Sequence, residues 1–476
     1  MYTIRQEELF SLQELMEMAP ENKYSIVFKT LDLLPALRVL NKRTHRGRPE
    51  ELNYAAMVYA MLIGTIERIP TTKDLLKRLR TNEEFRRTCR FRGSDAIPSE
   101  ASFSRLYTKL ADSGVLWELQ RQVISLAAAA GFVSPSFISF DSTHVEAEER
   151  QPRKEQEVES KAESNEQPVL EMEHSPSTSA KRLEDPRKKY KRGAPTKAEA
   201  ERRRLEREAW EASLPLFERK LEDMLPYTFE QLKPLIPIHP STSSKKGSNG
   251  KLMWWHGYKL HILADSKGHY ILSALFSSAH VNDGRLAIPL LKKFQTDFPD
   301  WKVKHALADA GYDVMAVYKQ VRSLGAWPLI DYNERAKKPP EGLNENFHPV
   351  CQEGHSYVYD SFDAKNKSLK FTRPQECKAC PLEKSGRCQR VYKIKVEKDL
   401  RRFTVPARGS KSYKKIYKKR TTVERIFAYL KGYYGLGASR KRAKRAEVDA
   451  ALSVLSYTLC QYAVDCMRQK QQKQAA

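Results

Sequence analysis

The sequence predicts an α/β fold, a mixed sheet flanked by helices, with an all-helical N-terminal domain before it and two insertions within it. Three observations predict this. Apolar residues recur at helical spacing from residue 7 to about 130, short β-rich runs begin near residue 136, and two of those runs end in an aspartate followed by turn residues.

The helical stretch shows its period in EELNYAAMVYAMLIGTI, TKDLLKRL and SFSRLYTKLADSGVLWELQRQVISLAAAA, where Ser99 or Ser102 is a candidate cap. SFISFDSTH then reads as a buried strand that ends in Asp141 and polar residues. Residues 146–235 form a charged insertion, first acidic and then basic, with too few apolar residues for a core and expected to be disordered or helical. GYKLHILAD and YILSALFSS are strands joined by the turn SKGH, a helix follows at 285–294, and KVKHALADAGYD is strand, acid and turn. The helix of VMAVYKQVRSL and the strand of WPLID complete an order of strand, hairpin, helix, strand, helix, strand. That order matches the ribonuclease-H-like fold.

The expected units are therefore a helical region at 1–132, a sheet core at 133–145 and 236–334, the charged insertion, a cysteine-containing insertion at 335–410, and closing helices at 411–470. The last of these helices, AEVDAALSVLSYTLCQYAVDCM, is expected to pack its apolar side on the sheet.

Composition narrows the partner. Lys and Arg number 84 against 59 Asp and Glu, a net charge of +25 that suits nucleic acid better than a small acidic metabolite. An anionic membrane surface would also attract it, but the longest nearly apolar run, Tyr54–Ile66, falls short of the roughly 20 residues that span a bilayer. MYTIRQEELF lacks the apolar core of a signal peptide, and seven cysteines without an export signal point to a reducing cytoplasm.

Three acids occupy places that a fold of this order can bring together: Asp141 and Asp309 follow strands, and Glu424 lies on a late helix. Massed carboxylates repel one another unless a divalent cation compensates them. Hard oxygen ligands suit Mg²⁺ or Mn²⁺, and two such ions about 4 Å apart can activate an attacking hydroxyl and stabilise the leaving oxygen. Singly, each acid reads more simply as a turn, cap or solvated residue, and Arg420 is an ordinary i,i+4 partner for Glu424.

The stretch YKKRTTVERIFAYLK alters that balance, because Tyr417, Arg420, Glu424 and Lys431 fall within roughly a 60° stripe of one helix. This spacing resembles the Tyr-Arg-Glu-Lys signature of DDE transposases of bacterial insertion sequences. FDSTHV and ALADAGYD resemble that family's first and second aspartate motifs, and RGRPEELNYAAMVYAMLIG and IPSEASFSRLYTKL resemble the helical region before its catalytic domain.

The resemblance implies metal ligation by Asp141, Asp309 and Glu424, and contacts from Tyr417, Arg420 and Lys431 to phosphates near the transposon end. It further implies hydrolysis at the element's ends, then attack of the freed 3′ hydroxyl on target DNA. The expected partners are terminal inverted repeats and target DNA, bound by a homodimer in the bacterial cytoplasm. Two alternatives remain: a nuclease of the same fold without strand transfer, and a non-catalytic DNA-binding descendant of a transposase.

Other features have weaker claims. Residues 411–445 hold 13 Lys and Arg and one acid, interleaved with Tyr413, Tyr417, Phe427, Tyr429, Tyr433 and Tyr434, so cations are expected to face DNA and most aromatics the core. Cys351, Cys377, Cys380 and Cys388, with His355 in reserve, are either Zn²⁺ ligands or reduced thiols. Arg46, Gly47, Arg48 and Pro49 read as a minor-groove hook or as the start of a helix at Pro49. Core packing is the default for Trp254 and Trp255, which precede His256.

Overall fold

Strand β1, Phe137–Glu146, is the centre of the architecture. The computed structural model describes residues 24, 27, 29–40, 52–149, 186, 195–247, 249–334, 339–386, 388–436 and 443–475. The candidate hook at Arg46, Gly47, Arg48 and Pro49 and residues 150–185 and 187–194 of the charged tract lie outside these residues.

Before β1 come helices α1 (Leu34–Leu40), α2 (Tyr54–Ile66), α3 (Thr72–Thr81), α4 (Glu83–Thr88), α5 (Glu100–Ser113) and α6 (Val115–Ala129). Helix α2 is apolar on nearly every side and buried accordingly. Of the two candidate caps, Ser99 is the one that begins α5, accepting from the Ser102 amide at 3.1 Å. Gly114, at φ +63°, ends α5 in the left-handed conformation and turns the chain into α6.

Within the charged tract the longest described helix, α7 (Lys197–Ser213), buries no residue and carries Arg–Glu pairs along its turns. After it the chain rejoins the core earlier than the expected boundary at 236. Phe217, Met224, Phe229 and Leu232 are buried with the sheet, and α8 (Phe229–Leu232) is fixed by a Thr228–Gln231 capping box.

The core continues with β2 (Ser241–Lys246), β3 (Leu252–Asp265), β4 (Ile271–Ser278), α9 (Asp283–Asp297), β5 (His305–Ala308), α10 (Met315–Ser323) and β6 (Trp327–Ile330). In this mixed sheet β4, β3 and β1 are antiparallel neighbours, then β1, β5 and β6 run parallel, and β2 pairs with the first half of β3. Period-two alternation divides the buried residues between two layers. Ile138, Phe140 and Leu263 pack with α9 and α10, whereas Tyr258, Leu260 and Ile262 pack on the opposite side.

The cysteine-bearing segment forms a second, three-stranded sheet of β7 (Val358–Asp363), β8 (Ser368–Thr372) and β9 (Val391–Lys395), with the short α11 (Pro381–Lys384) between β8 and β9. The closing helices are α12 (Lys411–Tyr417), α13 (Thr421–Tyr433) and α14 (Ala443–Ala475). Helix α14 touches the sheet as expected, through Tyr457 to the His269 carbonyl and Asp465 to the Tyr270 hydroxyl. It equally shares its buried side with α2, α5 and α6, so helical region and sheet join in one apolar cluster.

Candidate active site

Parallel pairing of β1 with β5 sets Phe137 opposite His305, Ile138 opposite Ala306 and Ser139 opposite Leu307. Continued by two residues, the same register brings Asp141 level with Asp309, on one face of adjacent strands. Asp309 begins a 3₁₀ turn, Ala310–Tyr312, and accepts the Gly311 amide at 2.9 Å. Asp141 accepts the Ser142 amide at 2.7 Å.

Burial and the nearby Asp309 charge push the Asp141 carboxyl up to about 7, against partial relief from Ser142 and Arg420. Burial also raises Asp309, offset in part by Gly311 and Arg420. Two partly buried carboxylates that each resist ionisation form a site short of positive charge.

The third acid arrives on α13, which packs against β1 and β3 through Val423 and Ile426. Arg420 Nη2 donates to Glu424 Oε1 at 2.6 Å, and Arg420 Nη1 stands 3.9 Å from Asp141 Oδ2. Asp141 and Asp309 are thus brought together, while Glu424 is half-exposed and reaches Asp141 only through the guanidinium. Among the described residues no three of His, Cys, Asp or Glu are set to hold a metal ion.

The one helix expected to carry Tyr417, Arg420, Glu424 and Lys431 is instead α12 and α13 joined by a 3₁₀ turn, Lys418–Arg420. Tyr417 is half-buried in consequence. Its hydroxyl donates to the Ala308 carbonyl at 3.1 Å and its ring stacks on Tyr413 at 5.5 Å, which anchors α12 to the residue before Asp309. Lys431 Nζ lies 3.3 Å from both ring nitrogens of His144. Burial and the Lys245 charge lower Lys431 to about 8, and burial with the Lys431 charge lowers His144.

Sequence reasoning missed a second polar layer. Asp283, the first residue of α9, accepts from Lys259 Nζ at 2.9 Å, and Lys259 also donates to the Val281 carbonyl at 3.0 Å. Burial raises Asp283, but His261, Lys259 and the Ser142 hydroxyl outweigh it and hold the carboxyl below its ordinary value. Burial lowers His261 to about 4, and its ring shares a 2.9 Å hydrogen bond with Ser277. Lys245 was missed as well, although its charge is felt at Asp141, Asp309, His144 and Lys431. The only sequence signals were the Asn-Asp pair before a helix and the basic hairpin STSSKKGSNGK.

The weaker candidates divide. Zinc at Cys351, Cys377, Cys380 and Cys388 is not supported. Cys377 is buried with Sγ 3.6 Å from His355 Nδ1, and Cys388 Sγ makes a 4.0 Å contact with the Tyr357 hydroxyl, so both thiols sit in weak hydrogen bonds. Trp255 is buried, with its indole N–H 3.4 Å from the Tyr258 carbonyl, but Trp254 is 65% exposed and departs from the core-packing expectation. In the basic stretch Tyr413, Phe427 and Tyr434 are buried, Tyr433 is exposed, and Lys411, Lys414, Lys415 and Lys418 face outward.

Comparison with known proteins bears on all of this. The family described as "Transposase DDE domain" matches residues 234–459, a span that holds Asp309, Tyr417, Arg420, Glu424 and Lys431 but not Asp141. The family described as "Transposase domain (DUF772)" matches residues 13–109. No curated protein matches the chain. Among solved structures, a piggyBac transposase synaptic complex with hairpin DNA is similar at 10% identity, over 98% of this chain and 78% of that one, with a TM-score of 0.35.

Proposed function

We propose that this chain acts as a DDE-type transposase, a reading supported by the transposase domain families matched at 13–109 and 234–459, and that Asp141, Asp309 and Glu424 form its DNA-cutting centre. One observation carries the reading: the β1–β5 register brings Asp141 level with Asp309, while α13 presents Glu424 from the same side through Arg420. The antiparallel β4–β3–β1 order continued by parallel β5 and β6 supports a ribonuclease-H-like core.

A divalent cation, Mg²⁺ or Mn²⁺, fits this donor set. The carboxylates are hard oxygen donors, and the raised Asp141 marks a place lacking positive charge. Asp141 and Asp309 would hold it, joined by Glu424 once Arg420 turns to a phosphate. When bound, such an ion draws charge from the phosphodiester and makes an attacking hydroxyl available at neutral pH.

The chain's own residues supply positioning. Arg420 offers a planar fork matched to two phosphate oxygens. Lys431 and Lys245 add charge along the same strand path, and Tyr417 acts through its hydrogen bond to Ala308, holding the end of β5 where Asp309 begins its turn. The reaction is cleavage at the element's ends followed by transfer of the freed 3′ end into target DNA. A strand-transfer assay separates this from a nuclease of the same fold.

The test compares Asp309→Asn and Glu424→Gln with the unaltered protein for binding to element ends and for Mg²⁺-dependent cleavage. The expected result is retained binding with cleavage reduced by orders of magnitude. Wild-type cleavage by either variant would overturn the site.

A further inference from the structure

The β1–β5 ladder stops short of the acids that it aligns. Its last pair is Ser139 with Leu307, two residues before Asp141 and Asp309, so backbone hydrogen bonds alone do not fix how far apart the two carboxylates stand. Side chains on the far side of the sheet take over that task.

Alternation turns Asp141 toward α13 and its neighbour Ser142 toward α9, the layer that also takes Ile138 and Phe140. The peptide joining them serves both layers, because its amide is the one that donates to Asp141 at 2.7 Å. On the α9 side the Ser142 hydroxyl is bonded to the Asp283 carboxylate and to the Tyr312 hydroxyl. A carboxylate only accepts, so the serine proton goes to Asp283 and the tyrosine proton to the serine oxygen.

Both partners are themselves held in place. Asp283 opens α9 and accepts from the buried Lys259 at 2.9 Å, and Lys259 is fixed in turn by the Val281 carbonyl at 3.0 Å. Tyr312 is buried, closes the 3₁₀ turn that Asp309 begins, and meets the Phe140 ring edge-on at 5.0 Å. Helix α9 abuts the same turn, since a Cβ at Gly284 would lie 3.8 Å from the Gly311 carbonyl oxygen. A chain of polar groups, Lys259, Asp283, Ser142 and Tyr312, thus runs beneath the two aspartates with Ser142 at its middle.

We propose that Ser142 is a positioning residue of the cutting centre: its hydroxyl ties the peptide that orients Asp141 to the turn that carries Asp309, and so sets one separation for the two carboxylates. The inference rests on the proposed role of Asp141 and Asp309 and brings no new atom to the reaction. Two like charges repel until a cation joins them, and a bridge that spans both supports keeps the pair ready for that cation. Groups that orient metal-holding carboxylates from behind contribute to metal affinity without touching the ion.

The experiment uses the full-length protein and Mn²⁺ as the probe, with binding read from the electron paramagnetic resonance signal of the free ion. Asp309→Asn identifies the two-aspartate site as the binding that it abolishes. Ser142→Ala should bind Mn²⁺ there roughly 10–100-fold more weakly than the unaltered protein, with metal-free binding to end DNA unchanged. Ser142→Thr keeps the hydroxyl, suits a strand and should restore the affinity. Tyr312→Phe removes the same link from its other end and should also weaken Mn²⁺ binding, while the double variant falls no further than Ser142→Ala. Raising Mn²⁺ should recover cleavage in Ser142→Ala and not in Asp309→Asn.

Thermal unfolding without metal separates positioning from stability. Ser142→Ala that unfolds earlier but binds Mn²⁺ with the wild-type affinity overturns the inference, and so do strictly additive losses in the double variant. If Ser142→Ala does not fold, Tyr312→Phe decides alone, and wild-type Mn²⁺ affinity there overturns it. In these cases the transposase reading stands, because the unaltered protein still holds Mn²⁺ at the site that Asp309→Asn abolishes. If the unaltered protein shows no such site, the proposed centre fails and the inference with it.

Discussion

Arg420 bonds Glu424 at 2.6 Å and stands 3.9 Å from Asp141, so one guanidinium occupies the ground between two of the three acids. The pair joins a mostly buried Arg420 to a half-exposed Glu424, and its loss should cost about 1 kcal/mol of stability. Cleavage should respond far more. We expect Arg420→Ala to unfold within a few degrees of the unaltered protein yet cut element ends roughly 100-fold more slowly, because the phosphate loses a two-pronged contact. Arg420→Lys should recover only part of the rate. Full activity in Arg420→Ala would remove the guanidinium from the site.

Lys431 gives a pH dependence with a definite sign. Burial and Lys245 place its pKa at about 8, so in the free protein it is charged below that value and loses its charge above it. End binding should weaken as pH rises through about 8. Lys431→Arg, charged throughout, should bind with a flat profile across the same range. Titrations of labelled end DNA from pH 7 to 9 decide it, and identical slopes for the two proteins would exclude Lys431 as the responsible group.

Asp313, four residues after Asp309, is fully buried and receives Arg401 through Nε at 3.0 Å and Nη2 at 2.6 Å, with the Tyr318 hydroxyl and the Asn333 amide completing its shell. Burial favours its protonation, but these partners outweigh it and hold the carboxyl below the usual range. Arg401→Ala strands that charge and should destabilise by about 3–5 kcal/mol at neutral pH. Because the native pKa is depressed, the stabilisation is present above the ordinary carboxylate pKa and disappears as pH falls through the native value. Urea unfolding should therefore show a wide gap between variant and wild type at pH 7 that narrows in acid; a gap independent of pH would refute the ion pair as its source.

Much of the fold was legible because its signals are local. Period-two runs located β1, β3, β4, β5 and β6, helical spacing located α2 and α5, and a fixed i,i+4 step made the Arg420–Glu424 pair readable without any structure. The excess of cations, likewise, is a property of composition alone.

What the tertiary structure decided involves residues far apart in the chain. Only the parallel register of β1 on β5 makes Asp141 and Asp309 neighbours, and burial together with the Asp309 charge pushes Asp141 up to about 7. The helical stripe grouped Tyr417 with Arg420, Glu424 and Lys431, whereas the fold, through a 3₁₀ turn, directs its hydroxyl to the Ala308 carbonyl, which also accepts from the Asp331 amide. Residues 217–235 read as charged insertion because their few apolar side chains have no clear period, yet α9 and the sheet offered them a surface to cover. Trp254 and Trp255 are adjacent and chemically identical, and β-strand alternation at the end of the sheet buried one and exposed the other. Period and composition are fixed by the chain itself, whereas register, burial and the partner of each polar group depend on which distant segment packs beside it.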